Sequence, residues 1–472
     1  RSSVRFRLLA PIFALCNILR IIFVCYYHSN RKYMKIKVSW ALPILIVIHV
    51  LVWFVSFKVL ASNDIYGLYP SYASFIIDNQ GEFYSTLLMF MLSFNILLSA
   101  RLRFFENIFS GLDKVYVVHK YTGYFTILLL ILHNALIEGF SFVSGFFTFA
   151  RDIANPLLYA FLIAIFISAL PNIPYINKIL KIPYHIWKYT HYLMGFLFVI
   201  GIYHSLGVST LTFSNPILST YMYIAYIVGS VAFIYKTFLY KFLKKRYEYT
   251  ISNINAFNDI QTLEITLDAD KEEAKSFGNK AGQFAFFTFQ EQGVEETHPF
   301  TISNSINEEK KLRLSIKALG DWTSILKDKI KVGTKVLVEG PYGKFTSNKD
   351  SNTLEVWIAG GIGITPFLAM LQDYKKNNNI NKKIVFVWSV KNESEAIYKN
   401  EIEENLPSNI QFILHDTTKM GFFKFESLLS KTNDKKNTSI YICGPAPMRE
   451  AIINDAKKEN FSDFHFEEFS FR

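Results

Sequence analysis

The chain has 472 residues, of which 51% are hydrophobic, and a formal net charge of +11. Its three cysteines, Cys16, Cys25 and Cys443, are too few and too scattered for a disulfide framework or a zinc site, and the apolar content excludes an intrinsically disordered chain and points to a membrane protein. The positive charge comes without a basic helix or recognition motif and gathers beside apolar segments, so nucleic acid is not expected as a partner.

The numbering opens on Arg1 rather than methionine, so an N-terminal piece, with any targeting signal it carries, is expected to precede it. Residues 8–27 are apolar but interrupted by Arg20 and flanked by bases on both sides, which fits a helix lying in the interface better than a seventh span. Six spans follow at 39–60, 82–100, 115–138, 153–170, 185–206 and 217–240. The connections at 28–38, 101–114, 171–188 and 241–246 are basic, whereas those at 61–81, 139–152 and 207–216 contain only Arg151. The positive-inside rule then places the basic loops, and everything after Arg246, in the cytoplasm.

Two of these spans carry histidine pairs: His119 with His133, fourteen residues apart, and His191 with His204, thirteen apart. At about 1.5 Å rise per residue each pair spans about 20 Å, so the four side chains form two levels across the bilayer. Intramembrane polar groups at that spacing read as axial ligands of two stacked haems, His119 with His191 and His133 with His204. Fourteen residues fall only about 40° short of four turns, but thirteen miss by about 140°. The second helix is therefore expected to be locally distorted or tilted, which Gly195 and Gly201 between the two histidines would permit. His49 lacks a partner at suitable spacing and reads as structural, and no role is assigned to His28, His185, His415 or His465. Arg101 and Arg103 stand where a haem propionate would be paired, though the positive-inside rule accounts for them equally well.

Beyond Tyr247, short β-rich runs at 262–267, 283–289, 312–318 and 335–338 predict a small antiparallel barrel. Within it His298, Pro299, Phe300, Thr301 and Ser303 combine a stacking aromatic with hydroxyls, and Lys317, Gly320, Trp322 and Thr323 follow. Together they could hold a flavin dinucleotide. A strand at 354–359 then runs into Gly360, Gly361, Gly363, Thr365 and Pro366 and an apolar helix, the context in which a glycine loop cradles a pyrophosphate. Further strands at 384–390, 410–414 and 439–442, a helix near 396–405, and Cys443, Gly444 and Pro445 predict a parallel α/β sheet.

Jointly these motifs resemble the transmembrane NADPH oxidase and ferric reductase superfamily from about residue 39 onward. The segment 111–116 before His119, the run 298–301, the segments 320–323 and 340–343, the loop at 360 and Cys443-Gly444-Pro445 carry the resemblance. It implies hydride transfer from NADPH, with NADH the alternative, to FAD, then single electrons through two b-type haems to oxygen, giving superoxide, or to ferric chelate. It further implies that Cys443 lies near the nicotinamide and that Phe471 covers the flavin, although Arg472 follows that aromatic here. Lys391 would pair with a 2′-phosphate. Ile137 stands where the animal oxidases place an extra histidine associated with oxygen reduction, which leaves the acceptor open. No calcium loop or proline-rich tail is recognised, so no regulatory subunit is expected.

The expected fold is an α-helical six-span membrane bundle plus a cytoplasmic FAD-binding antiparallel β-barrel and an α/β nucleotide-binding domain, in a plasma (inner) membrane. Residues 1–38 form the N-terminal helix, 39–246 the bis-haem part, 247–348 the FAD part and 349–472 the NAD(P)H part. The alternative function is an electron-donating membrane module serving a partner protein or quinone. A flavin reductase merely anchored by helices, with structural histidines, is a third reading.

Overall fold

The computed structural model describes residues 38–62, 72–137, 163, 184–270, 272–305, 310–347, 354–377, 382–432 and 434–467. The expected interfacial helix, the span at 153–170 apart from residue 163, and Phe471 lie outside them. The chain separates into two compact units that part between Lys241 and Phe242.

The first unit is helical. Its long helices are α1 (Val38–Ser62), α2 (Tyr72–Ser99), α3 (Leu112–Ile137), α4 (Tyr184–Val208) and α5 (Pro216–Ile234), the last continued by a π turn at Tyr235–Leu239 and a short helix to Leu243. Four described helices contain stretches long and apolar enough to cross a membrane: Ser39–Ser56, Asn79–Ser99, Leu112–Asn134 and Pro216–Leu243. Helix α4 has the length but opens on the more polar run His185 to His191. Helix α2 is the axis of the unit. One face of it packs Phe83, Leu87 and Met91 against Leu45 of α1 and Phe125 and Leu129 of α3, while Met89 and Leu92 meet Phe198 of α4 and Met222 of α5. The outward stripes of α1 (Trp40, Ile44, Val47, Leu51, Phe54) and α5 (Ile224, Ile227, Val231, Ile234) are exposed, recur at helical spacing and are wholly apolar, the surface a lipid phase requires. Helix α5 starts cleanly because Asn215 caps it, accepting from the Ile217 and Leu218 amides at 2.9 and 3.1 Å, with Pro216 in its first turn.

The second unit holds two sheets. Strands β1 (Tyr247–Phe257), β2 (Thr262–Ala269), β3 (Phe284–Phe289), β4 (Thr297–Thr301), β5 (Leu312–Lys317) and β6 (Lys335–Tyr342) form an antiparallel sheet of order β4-β3-β6-β1-β2-β5. A bridge between Ile302 and Leu314 brings its two edges together, and alternate residues such as Ile265, Phe287, Leu314 and Val338 fill the interior. Strands β7 (Leu354–Gly360), β8 (Lys383–Val390), β9 (Ile410–Asp416), β10 (Thr438–Cys443) and β11 (Asp463–Phe466) form a parallel sheet of order β11-β10-β7-β8-β9. Both faces are covered, so β7, β8 and β10 are buried almost throughout. Strand order reverses between β7 and β10, which opens a crevice at their carboxyl ends, where Gly360 and Cys443 lie. Strand β11 escaped sequence reading because four residues carry too little period, and the helix expected at 396–405 is confined to Lys399–Glu404.

Candidate functional site

Helices α3 and α4 carry the two histidine pairs, His119 with His133 and His191 with His204. The rings of His119 and His191 meet edge to face, with centroids 5.8 Å apart at an interplanar angle of 71°. The Nδ1 of His119 is 3.0 Å from the Asn95 carbonyl of α2, which fixes that nitrogen as the N–H and leaves Nε2 as the electron-pair donor. His191 is oriented by Trp187 one turn before it, the rings stacked at 5.1 Å and 17°. His133 repeats the arrangement one level along, its Nδ1 3.4 Å from the Gly81 carbonyl, with His204 of α4 nearby. The Nδ1 atoms of His191 and His204 are buried with no hydrogen-bond partner. Orphaned imidazole nitrogens in an apolar bundle are costly, and their presence on both levels fits ligation of a group placed between α3 and α4.

Of the distortion or tilt expected of α4, the distortion is absent. The segment is α-helical from Tyr184 to Val208, with no break at Gly195 or Gly201. These glycines serve packing instead. A Cβ at Gly195 would lie 2.1 Å from the Phe233 ring, and one at Gly201 3.1 Å from the Met89 sulfur. His49 is fully buried and satisfied at both nitrogens, by the Tyr221 hydroxyl at 3.2 Å and the Thr86 hydroxyl at 3.3 Å, in keeping with its structural reading.

In the antiparallel sheet, His298, Pro299, Phe300 and Thr301 occupy β4, and Trp322 opens the helix α6 (Asp321–Lys329). The structure brings the two motifs together: Trp322 lies 4.1 Å from the His298 ring and 6.0 Å from Phe300, centroid to centroid. The Thr301 hydroxyl and the Trp322 indole nitrogen are buried without partners, two polar atoms beside an aromatic cluster, as a ring system with polar edges such as a flavin would need. Thr323 closes the turn into α6, accepting from the Leu319 and Gly320 amides, each at 3.0 Å. A Cβ at Gly320 would meet open space, so this glycine leaves room rather than filling it.

Two predicted flavin contacts are engaged elsewhere. The Ser303 hydroxyl donates to the Arg313 carbonyl at 3.0 Å, and Lys317 pairs with Glu395 at 3.3 Å. Both belong to a junction between the two sheets that sequence reading missed. There Arg313 makes a bidentate pair with Glu401, at 2.8 and 2.9 Å, and Tyr398 meets the Ser315 hydroxyl at 2.6 Å. Its members are far apart in sequence and no local pattern marks them.

At the crevice of the parallel sheet, three glycines allow backbone to touch backbone. A Cβ at Gly363 would fall 2.2 Å from the Cys443 carbonyl oxygen, one at Gly360 would reach Met448 and Pro445, and Gly444 lies against Gly360. Gly361 differs: it has φ +53° and open space above it, the free concave face a pyrophosphate needs. Thr365 and Pro366 begin the helix α7 (Thr365–Lys376), and the Thr365 hydroxyl donates to the Ile362 carbonyl at 3.2 Å. Cys443 is fully buried; burial first, and the Glu467 carboxylate second, push its thiol well above the ordinary value, against the opposing pull of Arg449. Lys391 follows β8 with its side chain exposed, while its carbonyl accepts from the Thr418 amide at 3.0 Å.

Comparison with known proteins matches three family models in order: Ferric reductase like transmembrane component over residues 84–202, FAD-binding domain over 246–346 and Oxidoreductase NAD-binding domain over 357–454. The chain is 28% identical to "Dual oxidase 2" of Rattus norvegicus over 186 residues, 36% of this chain and 12% of that one. It is 26% identical to the "Glycine betaine monooxygenase reductase subunit" of Chromohalobacter salexigens over 206 residues, 41% of this chain and 56% of that one. The matches thus span about an eighth and somewhat over half of those relatives. A flavohemoglobin structure from Malassezia yamatoensis aligns at 16% identity and TM-score 0.48, covering 83% of this chain and 95% of that one.

Proposed function

We propose that this chain, a member of the NADPH oxidase and ferric reductase superfamily and a membrane oxidoreductase with FAD- and NAD(P)H-binding domains, moves electrons from cytoplasmic NADPH to an acceptor across the membrane, oxygen or ferric iron. The pairing of His119 with His191 carries the proposal. With centroids 5.8 Å apart in a buried, apolar setting, these two rings are the ones that would hold a haem iron between them.

When bound, FAD would supply hydride acceptance and one-electron donation, and two b-type haems would supply a one-electron relay through the bilayer. The chain's own residues set the conditions. Gly361 and the N-terminus of α7 receive a pyrophosphate, while Gly363 and Gly444 let the Cys443 backbone approach the glycine loop closely. Phe300 and Trp322 provide the stacking surface and Thr301 a hydroxyl for the flavin edge. The Asn95 and Gly81 carbonyls hold His119 and His133 in the tautomer that presents Nε2 to iron. Two histidines would leave a haem iron no open position, which would suit outer-sphere electron transfer more than oxygen binding at the metal.

Two measurements test this reading. Dithionite reduction of purified protein should reveal two low-spin haems per chain, and their absence would overturn it. NADPH-driven turnover of the FAD-supplemented protein, with oxygen or ferric chelate offered in turn and superoxide dismutase as control, identifies the acceptor. Dismutase-sensitive turnover in air marks an oxidase; fast anaerobic ferric reduction marks a reductase. Slow turnover with both, rescued by a quinone or partner protein, marks an electron-donating module.

A further inference from the structure

Glu82 lies in α2 with 6% of its surface exposed, in a stretch apolar enough to cross a membrane. A carboxylate there is expensive unless fully hydrogen-bonded, and it asks for a role. It accepts from the Leu211 amide at 2.8 Å, the Thr212 amide at 2.7 Å and the Thr212 hydroxyl at 2.6 Å. Leu211 and Thr212 belong to the short helix Thr210–Ser214 that follows α4, the helix of His204. The residue before Glu82 is Gly81, whose carbonyl receives the His133 Nδ1–H. One carboxylate therefore joins the backbone that orients one histidine to the segment that ends the helix of the other. Ser205, next to His204, is held in the same region by the Tyr226 hydroxyl at 2.6 Å, and the Ser209 amide returns to the Ser205 carbonyl at 3.1 Å.

We propose that Glu82 is a positioning residue for the His133–His204 pair, setting the separation of α2 from the end of α4 and with it the hydrogen bond from His133 to Gly81. The inference rests on the haem-ligand reading above. The His133 bond is 3.4 Å, near the limit of a useful hydrogen bond, so a shift of a few tenths of an ångström decides whether it persists. An N–H···O=C bond raises the basicity of a ligating imidazole and favours the oxidised metal; losing it raises the midpoint potential of that haem alone.

The test is potentiometric titration with low-spin EPR on the full, haem-loaded protein. Glu82→Asp keeps the charge but draws the carboxylate back by one methylene from Leu211 and Thr212. The expected result is an upward shift of one haem's midpoint and an altered low-spin signal for that haem, with the other unchanged. Thr212→Val, which removes only the hydroxyl donor, should give a smaller shift of the same haem in the same direction. An unchanged potential and spectrum in Glu82→Asp overturns the proposal, and so does an effect shared equally by both haems. If Glu82→Asp fails to assemble, an unshifted Thr212→Val overturns it. Absence of two low-spin haems in the wild-type protein defeats the haem reading itself, so the two failures are told apart.

Discussion

Cys443 shows how environment decides what a residue type does. A thiol is nucleophilic only as thiolate, and burial holds this one protonated. Native protein should resist iodoacetamide at pH 8 and react only when unfolded, as peptide mass spectrometry will reveal. Because the folded value is raised, the contribution to stability is complete below the ordinary thiol value near 9 and declines as pH rises through it. Gly363 shows the opposite dependence, on what is absent. Alanine there meets the Cys443 backbone at 2.2 Å, which cannot swing aside, so Gly363→Ala should cost about 1–3 kcal/mol and lower NADPH affinity by roughly tenfold or more while leaving the haem spectrum intact. Lys391→Ala should raise KM for NADPH roughly tenfold and leave NADH untouched, the loss of one charge-assisted contact to a 2′-phosphate. Equal effects on both nucleotides would remove Lys391 from cofactor selection.

Among the elements, α2 does most to assemble the membrane unit, although no histidine pair lies on it. It packs against both sides of the bundle and lends the Asn95 and Gly81 carbonyls to α3. The counterpart in the second unit is the junction of Arg313 and Glu401, with side chains 17% and 29% exposed. Burial opposes the Arg313 charge, but the bonds to Glu401 and the charges of Glu401 and Glu264 more than offset it, raising its value. Arg313→Ala strands a carboxylate between two sheets and should destabilise their docking by about 1–3 kcal/mol, the exposure reducing the full buried-pair penalty. Slowed flavin reduction by NADPH in stopped flow, with unchanged haem spectra, is the expected readout; an unchanged rate would make the junction structural only.

On the scale of the molecule, a helical unit with an apolar exterior and a unit built on an antiparallel and a parallel sheet share one chain. The loop charges predict that every residue after Arg246 faces the cytoplasm. Trypsin added to intact spheroplasts should leave the C-terminal half whole and cleave it after lysis, whereas cleavage before lysis would invert the topology.

Sequence by itself determined what local pattern can carry. Long apolar runs give membrane helices, because a buried backbone has no other way to satisfy its polar groups, and alternating runs give the strands. The glycines at 360 and 363 sit where only that residue type tolerates such close approach, Gly361 sits at a positive φ, and the histidines stand out because intramembrane polar groups are rare. Tertiary structure alone decided which carbonyls orient His119 and His133, that α4 runs unbroken while its glycines admit Phe233 and Met89, that Ser303 and Lys317 serve the junction, and that Trp322 meets His298. The physical reason is common to all of these. Each depends on a contact between residues distant in the chain, whose distance and direction are set by how whole elements pack, and one-dimensional spacing holds no record of that.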